Sequence, residues 1–299
     1  AKMFLSDYKS NFHFGYVLKN IDLRYIDKKE IDKLIFLLFQ YKILIIKSQT
    51  LTPKEYENVM SLFGRPIKHI LQEFSLPDFA NIVKLSDYIN PDGKPDGITD
   101  GGSYWHTDMS YYEISNVFTS LYAVNATPNS SGTQFLDLQD GLKALIRNDE
   151  LCNKIELTTG CNLLDLSVIH RFGNRRKLIA KKQPEQYLSP NIKNEMKPVT
   201  HPFIKKNLYT GKSALFAIFG SSVCFSGLNE NVSQELLNEI EDYLVCNASF
   251  YEHKYETGDL IIWDNSTLAH KGNVSHLTNN QMNARIIWRM NLDYTGVIS

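Results

Sequence analysis

Apolar residues early in the chain follow two different periods. Ile31, Leu34, Ile35 and Leu38 recur at three- and four-residue spacing, which puts them on one face of a helix. Asp27 with Glu30 has the spacing of a capping box, so a helix is predicted from there through Gln40. Residues 42–47 form a short β-branched run of the kind buried in a sheet. Thr52-Pro53-Lys54-Glu55 supplies a cap, a proline at the first helical position and the acid that closes a second box, with Gly64 expected to end that helix. Residues 117–124, 214–219, 260–263 and 285–292 read as further strands, and residues 233–244 return to helical spacing. Glycine, proline and aspartate crowd residues 90–103, a loop composition that predicts a mobile lid over about residues 88–103.

Strands separated by long excursions, with helices at the N-terminus and in insertions, predict a mainly β fold. The expected architecture is a double-stranded β-helix (jelly roll) core with helical additions, in one domain spanning residues 1–299. Lys plus Arg number 32 against 33 Asp plus Glu, so no bulk field attracts nucleic acid or anionic lipid. Apolar stretches such as residues 43–46 fall far short of the roughly 20 residues a membrane helix needs, and no membrane partner is expected. The first residues lack the pattern of a secretory leader. Cys152, Cys161, Cys224 and Cys246 lack paired spacing and read as buried reduced thiols, which points to a cytoplasmic protein. Arg171, Arg175, Arg176, Lys177, Lys181 and Lys182 read as a solvated basic loop.

Candidate chemistry centres on His106-Thr107-Asp108 and, much later, His270. Two histidines and one carboxylate form the ligand set that holds non-haem Fe(II) on one face and leaves the opposite face open. Residues two apart on an extended segment point the same way, so His106 and Asp108 can share one ion. His270 follows a turn and a buried strand at residues 258–263 and is expected at a barrel mouth. His13, His170, His201, His253 and His276 lack ligand spacing and are read as structural or exposed.

Four blocks in order carry a resemblance: Trp105-His106-Thr107-Asp108-Met109-Ser110-Tyr111, Ser131-Gly132-Thr133-Gln134-Phe135, residues 258–270 and residues 285–289. Together the chain resembles the taurine dioxygenase and TfdA-like family of Fe(II)/2-oxoglutarate-dependent oxygenases, from Phe63-Gly64 nearly to the C-terminus. The resemblance implies that His106, Asp108 and His270 bind Fe(II). It also implies that Arg285, with the hydroxyl of Thr133, holds the distal carboxylate of 2-oxoglutarate, the co-substrate used with O2. A guanidinium is the side chain suited to fixing a carboxylate bidentately. Arg289, four residues further, lies on the same strand face roughly 13 Å away. Likeness to the taurine branch implies that Arg289 and His69 contact an anionic group on a small-molecule substrate. Tyr104, Tyr111 and Tyr112 crowd the motif as further candidates, Tyr104 foremost.

Departures qualify this likeness. Gly102 stands where the taurine branch carries an asparagine, which argues against taurine itself, and the polar stretch 273–283 alters the pocket rim. Asp108 occupies a position that related halogenases give to a small residue, so halogenation is not expected. The expected reaction is oxidation, by default hydroxylation, of an unactivated C–H bond in a small anionic metabolite, coupled to decarboxylation of 2-oxoglutarate to succinate and CO2. The alternative is a jelly-roll metal-dependent hydrolase or isomerase that does not use 2-oxoglutarate; Arg285 and Thr133 argue against it. A homo-oligomer is an open expectation from the family.

Overall fold

Alternation along one buried strand sets the layering. The computed structural model describes residues 14–100, 102–128, 130, 132–176, 197–273 and 276–297. In the strand Ile43–Ile46, every residue is buried, but neighbours face different cores. Leu44 and Ile46 join the cluster under helix α1 (Lys28–Tyr41), while Ile43 and Ile45 join a cluster between two sheets. The capping box predicted for α1 is present, and Ile31, Leu34, Ile35 and Leu38 are its buried face. A second capped helix, α2 (Pro53–Met60), adds Tyr56, Val59 and Met60 to the same layer.

That strand belongs to a large sheet. Its order runs Tyr16–Leu18, Ile43–Ile46, Leu260–Asp264, Val117–Asn125, Ile286–Asp293, Phe79–Ser86 and Ser75–Leu76, with Arg65–Ile67 also paired to Ile286–Asp293. A small antiparallel sheet places Thr133–Asp137 between Phe250–His253 and Leu268–Gly272. Phe135, Tyr251 and Leu268 from the small sheet pack with Leu121, Trp263 and Ile287 from the large one, the face-to-face layering of a jelly roll. The Phe135 and Trp263 rings meet edge-on with centroids 5.1 Å apart.

A helical layer covers the other side. Helices α3 (Leu138–Ile146), α4 (Asp149–Thr159) and α5 (Glu230–Asn247) share a core with the three-stranded sheet of Ser222–Phe225, Ser167–His170 and Val199–Pro202. Among the described residues, no helix is long and apolar enough to cross a membrane.

Several expectations need correction. Helix α2 stops at Met60, and Gly64 does not terminate it; a Cβ there would lie 2.9 Å from the Asp293 carbonyl oxygen, so Gly64 serves a close backbone crossing. The strand expected over 214–219 ends at Leu215, because Ala217 adopts a positive φ of 49° and the chain turns. Helices α3 and α4 were not anticipated. The thiols are less buried than composition suggested: Cys152, Cys161 and Cys224 are half-buried and Cys246 is exposed, all four free. Arg175 is fully buried, not solvated, while Lys177, Lys181 and Lys182 lie outside the described residues, as does His13.

Candidate active site

His106 and His270 meet through a reciprocal backbone bridge. The His106 N–H donates to the His270 carbonyl at 3.0 Å and the His270 N–H to the His106 carbonyl at 2.9 Å. This pairing extends the small sheet by one short segment and sets the two imidazole centroids 4.1 Å apart. Asp108 Oδ1 lies 3.4 Å from the Nε2 atom of each ring. One potential ligand atom from each of these three residues lies within 4.8 Å of the others. Glycines make room for this: a Cβ on Gly102 would sit 2.3 Å from His106 Cε1, and one on Gly220 would sit 2.9 Å from His106 Cβ.

The bonds behind these residues orient them. His106 Nδ1 lies 2.7 Å from the Tyr104 carbonyl, which can only accept, so Nδ1 carries the proton and Nε2 presents a lone pair. Asp108 Oδ2 accepts from Thr119 Oγ1 at 2.8 Å and from Asn291 Nδ2 at 3.0 Å, leaving Oδ1 facing the imidazoles. Asn265 donates to Thr119 Oγ1 at 2.8 Å and completes the brace. A lone pair on His106 Nε2 facing a carboxylate oxygen is an acceptor-to-acceptor arrangement that a cation between them relieves, so the donor set fits a divalent metal. Burial alone would raise the Asp108 carboxyl, but in the metal-free site His270 and then His106, where their rings carry protons, together with Arg289 outweigh it and hold it well below the usual range. Burial, then the neighbouring His106, lowers His270 to about 4 and keeps it neutral.

Two neighbouring cavities, sharing Ile98, Asp100, Gly102 and Arg289 in their linings, flank the triad. The first, about 550 Å³ counted out to its mouth, includes Leu85, Leu121, Thr133, Trp263, Ile287 and Arg285 in its lining. The second, about 770 Å³ counted the same way, includes His69, Tyr104, Tyr111, Phe172 and Asn291. His270 faces the first, His106 and Asp108 face the second, and Arg289 borders both. Ile287 and Arg289 alternate along the strand Ile286–Asp293, so the pleat turns both toward the cavity, and Arg285, immediately before that strand, lines it as well. The Arg285 N–H donates to Asp87 Oδ1 at 2.7 Å, which fixes the entry to that strand.

The sequence candidates therefore fall around one hollow: His106, Asp108 and His270 at its centre, Thr133 and Arg285 on one side, His69 and Tyr104 on the other, and Arg289 at the junction. Tyr111 also lines it, whereas Tyr112 does not. His69 is not a cation: burial and then the Arg289 charge lower it to about 3, and its Nδ1 accepts from the Leu71 N–H at 3.0 Å. Within the stretch expected as a lid, Ile98 is bonded to Lys84 and Ser86, and Ile98 and Asp100 border both cavities, while Gly101 lies outside the described residues. Thr119, Asn265, Asn291 and Phe172 were missed. Asn291 had a signal, since it continues the every-second-residue series from Arg285. Thr119 and Asn265 lie on or just after strands that periodicity predicted but carried no sign of their polar role, and Phe172 comes from a segment with no local pattern.

Comparison with known proteins agrees with this geometry. The family described as "Taurine catabolism dioxygenase TauD, TfdA family" matches residues 6–290. An alpha-ketoglutarate-dependent 2,4-dichlorophenoxyacetate dioxygenase of Cupriavidus pinatubonensis (strain JMP 134 / LMG 1197) is 25% identical over 87% of this chain and 88% of its own. Pentalenolactone F synthase of Streptomyces arenae is 25% identical over 82% and 81%. A crystal structure of AAD-2 in complex with Mn(II) and N-oxalylglycine superposes with a TM-score of 0.71 at 20% identity, covering 94% of this chain and 93% of that one.

Proposed function

The chain belongs to the TauD/TfdA family and is an Fe(II)- and 2-oxoglutarate-dependent dioxygenase, and from that premise we propose that His106, Asp108 and His270 hold the iron and that the two cavities divide its substrates. The observation that carries the reading is the junction itself: the ligand triad lies between one cavity bordered by Thr133 and Arg285 and another bordered by His69 and Arg289. The metal, when bound, supplies the activation of dioxygen that drives oxidative decarboxylation of the oxoacid to succinate and CO2. Arg285 and Thr133 anchor the distal carboxylate of 2-oxoglutarate, and Trp263, Ile287, Leu85 and Leu121 give that cavity an apolar part for the carbon chain. From the proposed lid segment, Ile98, Asp100 and Gly102 border both cavities, and the chain acts as one domain.

In the second cavity, Arg289 supplies the positive charge, and His69, protonated on Nε2, adds a neutral donor for an anionic group. Tyr104, Tyr111 and Phe172 bring aromatic surface that orients an apolar substrate body against the metal face. The substrate proposed is a small carboxylate or sulfonate whose C–H bond is hydroxylated. The relative named for 2,4-dichlorophenoxyacetate acts on such an acid. Nucleic acid has no place in this reading, and the reaction is placed in the cytoplasm.

Oxygen-dependent succinate formation, measured with Fe(II) across a panel of small acids, tests the proposal. Wild-type protein is expected to show turnover stimulated by some members of the panel, and His106→Ala is expected to lose both Fe(II) binding and succinate production. Retention of either by the variant would remove the metal assignment.

A further inference from the structure

Tyr255 lies directly behind the co-substrate anchor. Its phenol oxygen is 2.6 Å from Thr133 Oγ1, the closest approach of any side-chain oxygen to that hydroxyl among the described contacts. Both residues are buried, Tyr255 at 4% exposure and Thr133 at 5%. Thr133 borders the first cavity together with Arg285, whereas Tyr255 is set one layer back, in the core shared with Trp263, Phe135 and Ile287.

The local backbone brings these residues together. Thr133 pairs with His253 on one side and with Gly272 on the other, at the start of the central strand of the small sheet. A Cβ on Gly132 would lie 2.3 Å from the His253 carbonyl oxygen, so only glycine permits the chain leaving His253 to fold across Thr133 and carry Tyr255 onto it. The His253 ring then braces the Tyr255 ring edge-on at 5.0 Å, and His253 is itself fixed by Asp259 Oδ2 at 2.9 Å and by the Tyr251 hydroxyl at 3.0 Å.

We propose that Tyr255 is a positioning residue for 2-oxoglutarate: it donates its hydroxyl proton to Thr133 Oγ1 and so turns the Thr133 proton toward the carboxylate that Arg285 binds. This rests on the reading of the first cavity as the oxoacid site. A Thr hydroxyl has a single proton. If Tyr255 is the donor in this pair, that proton is free to point into the cavity, and a hydrogen bond received at Oγ1 polarises the one Oγ1 gives. Burial pushes the Tyr255 phenol up to about 12, so it keeps the proton it must donate throughout the working pH range. Without the phenol, Thr133 Oγ1 loses this acceptor bond and the side chain is free to rotate.

Calorimetric titration of 2-oxoglutarate into Mn(II)-loaded, oxygen-inert protein tests this without turnover. Tyr255→Phe is expected to weaken binding about three- to tenfold, the scale of one hydrogen bond, with its metal affinity and thermal midpoint close to those of the unmodified protein. Thr133→Val is expected to weaken binding at least as much, Thr133→Ser to retain most of it, and the Tyr255→Phe/Thr133→Val pair to be no weaker than Thr133→Val alone. Unchanged affinity in Tyr255→Phe would overturn the inference, as would losses that simply add in the double variant. Absence of 2-oxoglutarate binding by the unmodified Mn(II) protein is a different result, which removes the oxoacid site and the inference with it.

Discussion

The two walls of the hollow are built on different principles. The wall around the proposed oxoacid cavity is largely sheet: Leu85, Leu121, Trp263, Ile287 and Arg289 come from adjacent strands of the large sheet, and Thr133 and His270 from the small sheet. The wall of the second cavity is largely loop: Leu71, Tyr104, Phe172 and Ser221 come from different loop segments, and Met109 and Tyr111 from one turn. A pleat aims side chains by parity alone, so one strand delivers Ile287 and Arg289 together, with Arg285 at its entry. A loop has no such rule and has to be held from behind, residue by residue. Arg175 does this on one side: its N–H donates to the Gly220 carbonyl and its guanidinium to the Ile218 carbonyl at 2.8 Å, Ser222 Oγ at 2.8 Å and Asn238 Oδ1 at 3.0 Å. His201 does it on the other, with Nε2 bonded to the Ser110 and Tyr112 carbonyls at 2.9 and 2.8 Å. On the proposed reading, the oxoacid half of the chemistry rests mainly on the sheet, and the half that meets the substrate rests on loops, which can be changed one at a time.

Removing the support of the loop wall is expected to have the largest effect. Arg175 is fully buried and paired with Glu241, itself 7% exposed. Arg175→Met leaves that carboxylate buried without its main partner, a change that costs about 3–5 kcal/mol. Chemical denaturation should show a loss of that size. A loss below about 1 kcal/mol, the scale of a surface ion pair, would mean that the loops are held by other contacts and that the two walls differ less than their linings imply.

Damage to the sheet wall should be local. Arg285→Ala is expected to raise the dissociation constant for 2-oxoglutarate about a hundredfold, within the range for truncating a buried charged partner, while leaving the metal affinity and the unfolding midpoint nearly unchanged. Titration of the metal-loaded variant measures both. If the midpoint fell as far as in Arg175→Met, Arg285 would be a structural brace and the division between the walls would fail.

The same contrast explains what could be read from the chain. The strand that carries Arg289, the buried run at Ile43–Ile46 and the two capped helices follow from local periodicity and cap chemistry, whereas His270, expected just beyond a strand end, stands in the middle of the strand Leu268–Gly272, which no period marked. The convergence of His106 with His270 spans 164 positions and was available only through the order of blocks shared with a family. Phe172, Ser221 and Tyr255 had no period, cap or motif of their own; their positions depend on which distant turn lies behind them. Arg175 was misread for the same reason, because a basic run looks solvated until α5 supplies Glu241 to bury it.

The smallest expected effect concerns acid. His170 is fully buried beneath the loop wall, two residues before Phe172, with its ring centroid 5.0 Å from that of His201 and neither of its nitrogens bonded among the described residues. Burial, then His201 and Arg175, holds it well below its ordinary 6.5, so it is neutral in the fold. As pH falls below 6.5 the unfolded chain takes up a proton there that the folded chain refuses. Its contribution is therefore fully present above that value and is lost on acidification, by about 1.4 kcal/mol per pH unit for this group until its folded pKa is reached. Urea unfolding of the metal-free protein, followed downward from neutrality, should show a pH slope that His170→Phe reduces by about that amount, since phenylalanine suits the aromatic surroundings of His201 and Phe216 and binds no proton. An unchanged slope would mean that His170 already takes up its proton in the folded state, and that the ground under the loop wall is wetter than its burial implies.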